Sequence, residues 1–229
     1  MPTPPGNNRT IRSFVRRTGR MTSGQASALE SLWPVYGVEA TSGTLNFATL
    51  FGRSAPVVLE IGFGNGDTLV TQAHEHPERD YLGIEVHLPG VGHCLMQAEK
   101  EGASNLRIIT HDAIDVLAGQ IADSTLDRVN LYFPDPWPKK RHRKRRIVQL
   151  EFLKQIAQKL RQDGDFFIAT DWAGYAEHID AVLALDACFT LVERRRHAGD
   201  APLDRVTTRF ERRGLGKGHA IWDWQLRRV

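Results

Sequence analysis

From Pro56 onward the chain alternates short apolar runs with helical ones, and this rhythm constrains the fold more than any other feature. VVLEI, YLGIEVH, LRIITHDA, RVNLYF and DFFIATD read as strands, each ending in a turn. DTLVTQAHEH, LPGVGHCLMQAEKEG, AIDVLAGQI, RRIVQLEFLKQIAQKLRQDG and WAGYAEHIDAVLALD read as the helices between and after them. The fourth helix is the clearest: Ile147, Leu150, Leu153, Ile156 and Leu160 form one stripe, and Gly164 is its expected terminator. Five such alternations predict an α/β fold, a mostly parallel sheet with helices on both faces and ligands at the strands' carboxyl ends. FTLVER and AIWDWQLRRV follow with no helix read between them, which predicts an antiparallel pair at one sheet edge.

The 229 residues suffice for one well-buried domain, and no apolar run approaches membrane-span length. Cys94 and Cys188 are too few for a disulfide framework and do not space as metal ligands. The expectation is a cytoplasmic protein with no membrane and no metal partner, either monomer or homodimer. Its net charge of +3 conceals an asymmetry: residues 1–29 carry five Arg and no acid, and Lys139 to Arg146 carry seven basic residues and no acid. Setting these twelve aside leaves 18 basic against 27 acidic residues, an acidic body with two basic segments suited to a polyanion. We therefore expect residues 1–29 to be a flexible basic arm and residues 30–229 a single domain, with residues 30–55 packed irregularly on its core. A mitochondrial transit peptide shares the arm's composition, but the proline-rich start spoils an amphipathic helix.

EIGFGNG, Glu60 to Gly66, sits where the first strand turns toward the first helix. Its spacing is GxGxG, not the GxGxxG of a dinucleotide fingerprint, and no GxxxxGK[ST] phosphate loop occurs. Gly62 and Gly64 let backbone approach a ligand. Glu85 ends the second strand, 19 residues past Gly66, where a carboxylate accepts ribose hydroxyls. Asp112 ends the third, placed to accept from an adenine amino group, and Asp135 ends the fourth. Glu60 precedes the glycines and anchors the ligand's amino-acid portion directly or by orienting the turn. Four acids would repel a pyrophosphate but suit a cationic adenosine derivative, which makes S-adenosylmethionine the expected cofactor; capping of local turns is the plainer alternative.

VNLYFPDPWPKKRHRKRR, Val129 to Arg146, passes from a strand through a proline-locked tip into the densest positive charge of the chain. Pro134, Pro136 and Pro138 fix φ and lack an N–H, holding Asp135 and Trp137 on a stiff turn. An acid and an indole so held suit a flat polar ring, and the cations beyond suit a polyanion. A solvated basic helix start would look the same.

The glycine turn, Glu85 and Asp112 resemble a class I methyltransferase, whose Rossmann-like seven-stranded sheet ends in an antiparallel hairpin. IRSFVRRTGRMTSGQ, EIGFGNG, GIEVH, NLYFPDPWPKKRHRKRR, ATDW and TRFERRG resemble, in that order, the bacterial tRNA (guanine-N7)-methyltransferases. The motifs run from Ile11 to Gly214. The resemblance implies methylation of N7 of a guanosine in the variable loop of tRNA. It implies cofactor contacts at Glu60, Glu85, Asp112 and Asp135, and substrate contacts at Lys139, Asp171, Thr208, Arg209, Phe210 and Glu211. It maps the RNA contact onto Arg141, His142, Arg143, Lys144, Arg145 and Arg146.

Guanine N7 has a free lone pair and no proton at neutral pH, so in-line attack on a sulfonium methyl needs alignment and not a general base. Positive charge moving into the purine favours a carboxylate at its N1–H and amino edge. Asp135 is the expected catalytic residue, with Asp171 on the neighbouring strand end as the other candidate. Trp137 either stacks on the ring or packs beneath the loop. Two alternatives remain open: methylation of an exocyclic amine on an RNA base, and a non-catalytic RNA-binding module.

Overall fold

The computed structural model describes residue 14 and residues 19–40, 43–199 and 202–229. Most of the expected basic arm, including Arg9, Arg12, Arg16 and Arg17, lies outside the described residues.

Two helices precede the regular alternation. Helix α1, Ser23–Tyr36, starts at a capping box in which Thr22 and Gln25 satisfy each other's backbone N–H. Strand β1, Gly37–Val38, and helix α2, Phe47–Phe51, follow. The alternation then runs β2 Val57–Ile61, α3 Asp67–Glu75, β3 Asp80–Ile84, α4 Leu88–Glu101, β4 Leu106–Ile109, α5 Ala113–Gly119 and β5 Leu126–Tyr132. A short 3₁₀ helix, Lys140–Arg145, leads to α6 Leu150–Lys159, β6 Leu160–Thr170, α7 Ala173–Leu183, β7 Phe189–His197, α8 Arg209–Leu215 and β8 Ile221–Arg228.

These strands form one sheet in the order β1-β4-β3-β2-β5-β6-β8-β7. Every pair from β1 to β6 is parallel, and β8 pairs antiparallel with both β6 and β7. The chain reverses from one side of β2 to the other between β4 and β5, opening a crevice at the strands' carboxyl ends. Each sheet face has its own core. Val57, Leu59 and Ile61 pack with α5, α6 and α7, whereas Val58, on the alternate face, packs with α1, α3 and α4. This two-sided burial explains why the strands read as unbroken apolar runs.

Four features differ from expectation. The sheet has eight strands, not seven, because Gly37–Val38 adds a two-residue parallel strand on β4. Residues 30–55 are thus partly regular, and the expected boundary between residues 29 and 30 falls inside continuous α1, which packs on α4. Helix α6 ends at Lys159, not at Gly164, because Leu160 already pairs with Leu126 of β5. The β6 partner then jumps from Leu160 to Asp165, so Gly164 lies in a bulge beside Asp163 at φ 61°. Finally, α8 stands between β7 and β8; only Glu211 and Gly214 of it are buried, so it shows no apolar stripe.

Candidate active site

A cavity of about 350 Å³ occupies the crevice. Its floor is Ile61, Gly62 and Gly64 from the β2–α3 turn, and its sides come from the ends of β3, β4 and β5. Glu85, Asp112 and Asp135 all line it, together with Pro134, Phe210 and Phe14 of the arm. No Lys or Arg lies among its described lining residues, which carry three carboxylates and the imidazoles of His87 and His111.

The floor is open because its backbone permits it. Gly62 sits at φ 73°, and a Cβ there would project into empty space, the cavity itself. Gly66, at φ 82°, closes the turn under α4, where a Cβ would collide with Cys94 Sγ. Glu85 holds this turn from the neighbouring strand. Its Oε2 accepts from Gly64 N at 2.9 Å, and its Oε1 accepts from Val86 N at 2.7 Å and His87 N at 2.9 Å. Three bonds leave lone-pair capacity on Oε2 for a ligand hydroxyl. Asp112 is the N-cap of α5, with Oδ1 accepting from Ile114 N at 3.1 Å. It combines the capping role with a place on the cavity wall.

Glu60 is placed otherwise than expected. Period-two alternation turns its side chain to the face of Val58, and it does not line the cavity. It is 3% exposed, and its Oε2 has no hydrogen-bond partner among the described residues. Burial pushes its carboxyl up from the ordinary 4.5 to about 8, against the opposing pull of Arg128 and Arg205 and with a smaller push from Glu85. Folded-state protonation above the unfolded value means that the native state binds the extra proton between these limits. Glu60 therefore costs stability progressively as pH rises from about 4.5 to about 8. Glu60→Gln removes the titration while keeping the shape. The variant's thermal midpoint, relative to wild type, should rise steadily from pH 5 to pH 8. A difference independent of pH would mean that Glu60 is ionised in the fold.

Beneath the site lies a buried polar network that sequence spacing does not reveal. Arg128 donates to Asn130 Oδ1 at 2.7 Å, Tyr132 Oη at 3.1 Å and Asp204 Oδ2 at 2.6 Å. Arg205 is bound by Glu211 and, at 2.9–3.0 Å, by Asp223 Oδ1, while its guanidinium lies 5.4 and 5.3 Å from the ring centroids of Tyr132 and Phe133. His197 Nε2 lies 2.9 Å from Asp223 Oδ2. Arg128, Arg205 and Asp223 are distant in the chain and come together only through the sheet.

The expected substrate residues divide. Phe210 is 56% exposed and lines the cavity, and Arg209 beside it is exposed. Thr208 and Glu211 are instead buried in the α8 capping box, with Glu211 also committed to Arg205. Asp171 stands outside the cavity, with Oδ2 at 3.3 Å from His219 Nδ1 and in close approach to Gly214 of α8. Lys139, Lys140, Arg141, Arg143 and Lys144 are exposed on and beside the 3₁₀ helix, with His142 and Arg145 half-buried. Arg145 lies 5.0 Å over the Trp137 ring, and His142 meets that ring edge-on at 5.8 Å, so Trp137 packs against the basic helix. Arg146 differs from its neighbours: it is 2% exposed and bonds inward to Pro136 O and Gly174 O.

A family model described as "Putative methyltransferase" matches residues 54–224. The tRNA (guanine-N(7)-)-methyltransferase of Idiomarina loihiensis is 52% identical over 219 residues, covering 96% of this chain and 89% of that protein. Its counterpart in Escherichia coli strain K12 is 52% identical over 222 residues, covering 96% and 92%. Among solved structures, a variant of the 16S rRNA (adenine(1408)-N(1))-methyltransferase from Catenulisporales acidiphilia with cosubstrate SAM gives a TM-score of 0.58 at 19% identity. That match covers 80% of this chain and 90% of the other, and shows a shared class I methyltransferase fold. With relatives this similar over nearly its whole length, the chain belongs to the family of bacterial tRNA (guanine-N7)-methyltransferases.

Proposed function

We propose that this enzyme methylates N7 of a guanosine in the variable loop of tRNA, by in-line transfer without a general base. The observation that carries the reading is the cavity: Glu85, Asp112 and Asp135 converge on it over a glycine floor, with no Lys or Arg among its described lining. That set repels a pyrophosphate and suits a cationic adenosine derivative, so it fits S-adenosylmethionine. Glu85 would hold the ribose and Asp112 the adenine amino group, while Gly62 and Gly64 let backbone approach the amino-acid portion. When bound, S-adenosylmethionine supplies an activated methyl group on a sulfonium.

N7 attacks with a lone pair that carries no proton, so no side chain needs to remove one. The chain's own contribution is alignment and charge. Asp135, exposed on the proline-locked tip at the cavity mouth, is the carboxylate offered to the purine edge as positive charge enters the ring. Phe210 at the same mouth offers an apolar wall to the base. Asp171 lies outside the cavity, beside His219 and α8, and in this reading orients α8.

The test is the product. After incubation with tRNA and methyl donor, borohydride reduction and aniline cleavage should cut the RNA at one variable-loop guanosine. Methylated RNA that resists this cleavage would point to an exocyclic amine, and RNA bound without methylation would point to a binding module.

The exposed cations of the 3₁₀ helix are the proposed phosphate partners. Neutralising Arg141, Arg143 and Lys144 together should raise the KM for tRNA and flatten its salt dependence. The log–log slope should fall by ~0.7–0.9 for each phosphate no longer neutralised. An unaltered slope would make the helix a solvated surface.

A further inference from the structure

Arg146 ends the basic run but does not share its exposure. Its Nε donates to Pro136 O at 2.9 Å, its Nη1 donates to Gly174 O at 2.8 Å, and its guanidinium lies 4.9 Å from the Tyr175 ring centroid. Pro136 adjoins Asp135 on the loop tip. Gly174 and Tyr175 belong to the first turn of α7, where Tyr175 is completely buried in the core. One cation thus ties the tip of the loop to a fixed helix.

The pairing is unusual for a group that only stabilises the fold. Arg128 and Arg205 face carboxylates, whereas among the described residues Arg146 bonds to two neutral carbonyls and its buried Nη2 meets no partner. A buried guanidinium so partnered is a costly way to gain stability. The loop it holds is itself strained. Phe133 and Trp137, on either side of Asp135, have φ of 53° and 42°, a region side chains with a Cβ rarely adopt. Such conformations persist only where the surroundings over-determine them.

We infer that Arg146 is a positioning residue for methyl transfer, fixing the Asp135 tip against α7 and dividing the basic run into an RNA-facing part and a loop-holding end. The inference rests on the proposed role of Asp135.

Full-length Arg146→Lys and Arg146→Ala, assayed with tRNA, test it. Lysine keeps the charge but cannot reproduce the two-pronged donation of the guanidinium. Arg146→Lys should lose at least ~10-fold in kcat, the scale of a modest misplacement of a reacting group. Its tRNA Kd and salt slope should stay within about twofold of wild type, since every phosphate keeps its cation. Added ethylguanidinium should restore part of the kcat of Arg146→Ala and none of the activity of Arg141→Ala. The inference is overturned if kcat is intact while the slope falls by ~0.7–0.9, which marks a phosphate partner. It is equally overturned if neither variant folds by near-UV circular dichroism, because the residue is then only structural. Asp135→Asn, assayed in parallel, separates the two claims. The double variant Asp135→Asn/Arg146→Lys should be no slower than Asp135→Asn alone, as expected for residues acting through one another. Full turnover by Asp135→Asn would sink the reading of Asp135. Additive losses in the double variant would sink the inference about Arg146.

Discussion

Asp135→Asn should lower kcat at least ~10²-fold, the scale on which one preorganised electrostatic group acts, with a smaller change in tRNA affinity. The substitution keeps the shape and one acceptor but removes the charge that, in the proposed mechanism, answers positive charge arriving on the purine. Asp135 is exposed on the loop, so the substitution places no unsolvated amide in the core. In wild type, kcat should show no base-type inflection from this group between about pH 6 and pH 8, the range in which a tuned general base would titrate. Near-full turnover in the variant would sink the mechanism. So would an inflection near neutrality that disappears with the substitution, because it would assign Asp135 a proton-transfer role.

The sheet is legible in the sequence because strands buried on both faces leave continuous apolar runs. The cavity is legible because its acids stand within three residues of where those runs end. What escapes depends on contacts between distant segments. Helix α8 presents no apolar stripe and α1 only a short one, Ala28, Leu29, Leu32, Trp33 and Tyr36, although Thr22 with Gln25 and Thr208 with Glu211 are capping-box pairs visible in the chain. Gly164 suggests a helix end, but pairing of Leu160 with β5 ends the helix earlier. Arg146 is indistinguishable from its neighbours by type, and the placement of Pro136, Gly174 and Tyr175 turns it inward. Glu60 stands before the glycines as the pattern requires, yet strand alternation turns it away from the cavity.

The largest stability effect should follow from Arg205. Its side chain is fully buried between Glu211 and Asp223, which are themselves only 1% and 3% exposed. Arg205→Met keeps much of the volume but takes the guanidinium from two buried carboxylates, leaving Asp223 its contact to His197 and Glu211 only a distant one. Breaking a buried pair from one side costs ~3–5 kcal/mol, because the abandoned charge has no solvent to replace its partner. Urea denaturation should therefore show a lower midpoint at an unchanged m-value. Adding Glu211→Gln should recover part of the loss, since one orphaned charge disappears, although the α8 capping box is weakened. Activity should fall as well: Arg205 supports the rings of Tyr132 and Phe133, which lead directly into the Asp135 loop, and through Glu211 it holds the start of α8 that carries Phe210 to the cavity. A loss below ~1 kcal/mol, the range of an exposed ion pair, would mean that water or a rearranged partner reaches these carboxylates. The network would then not be the support of the site.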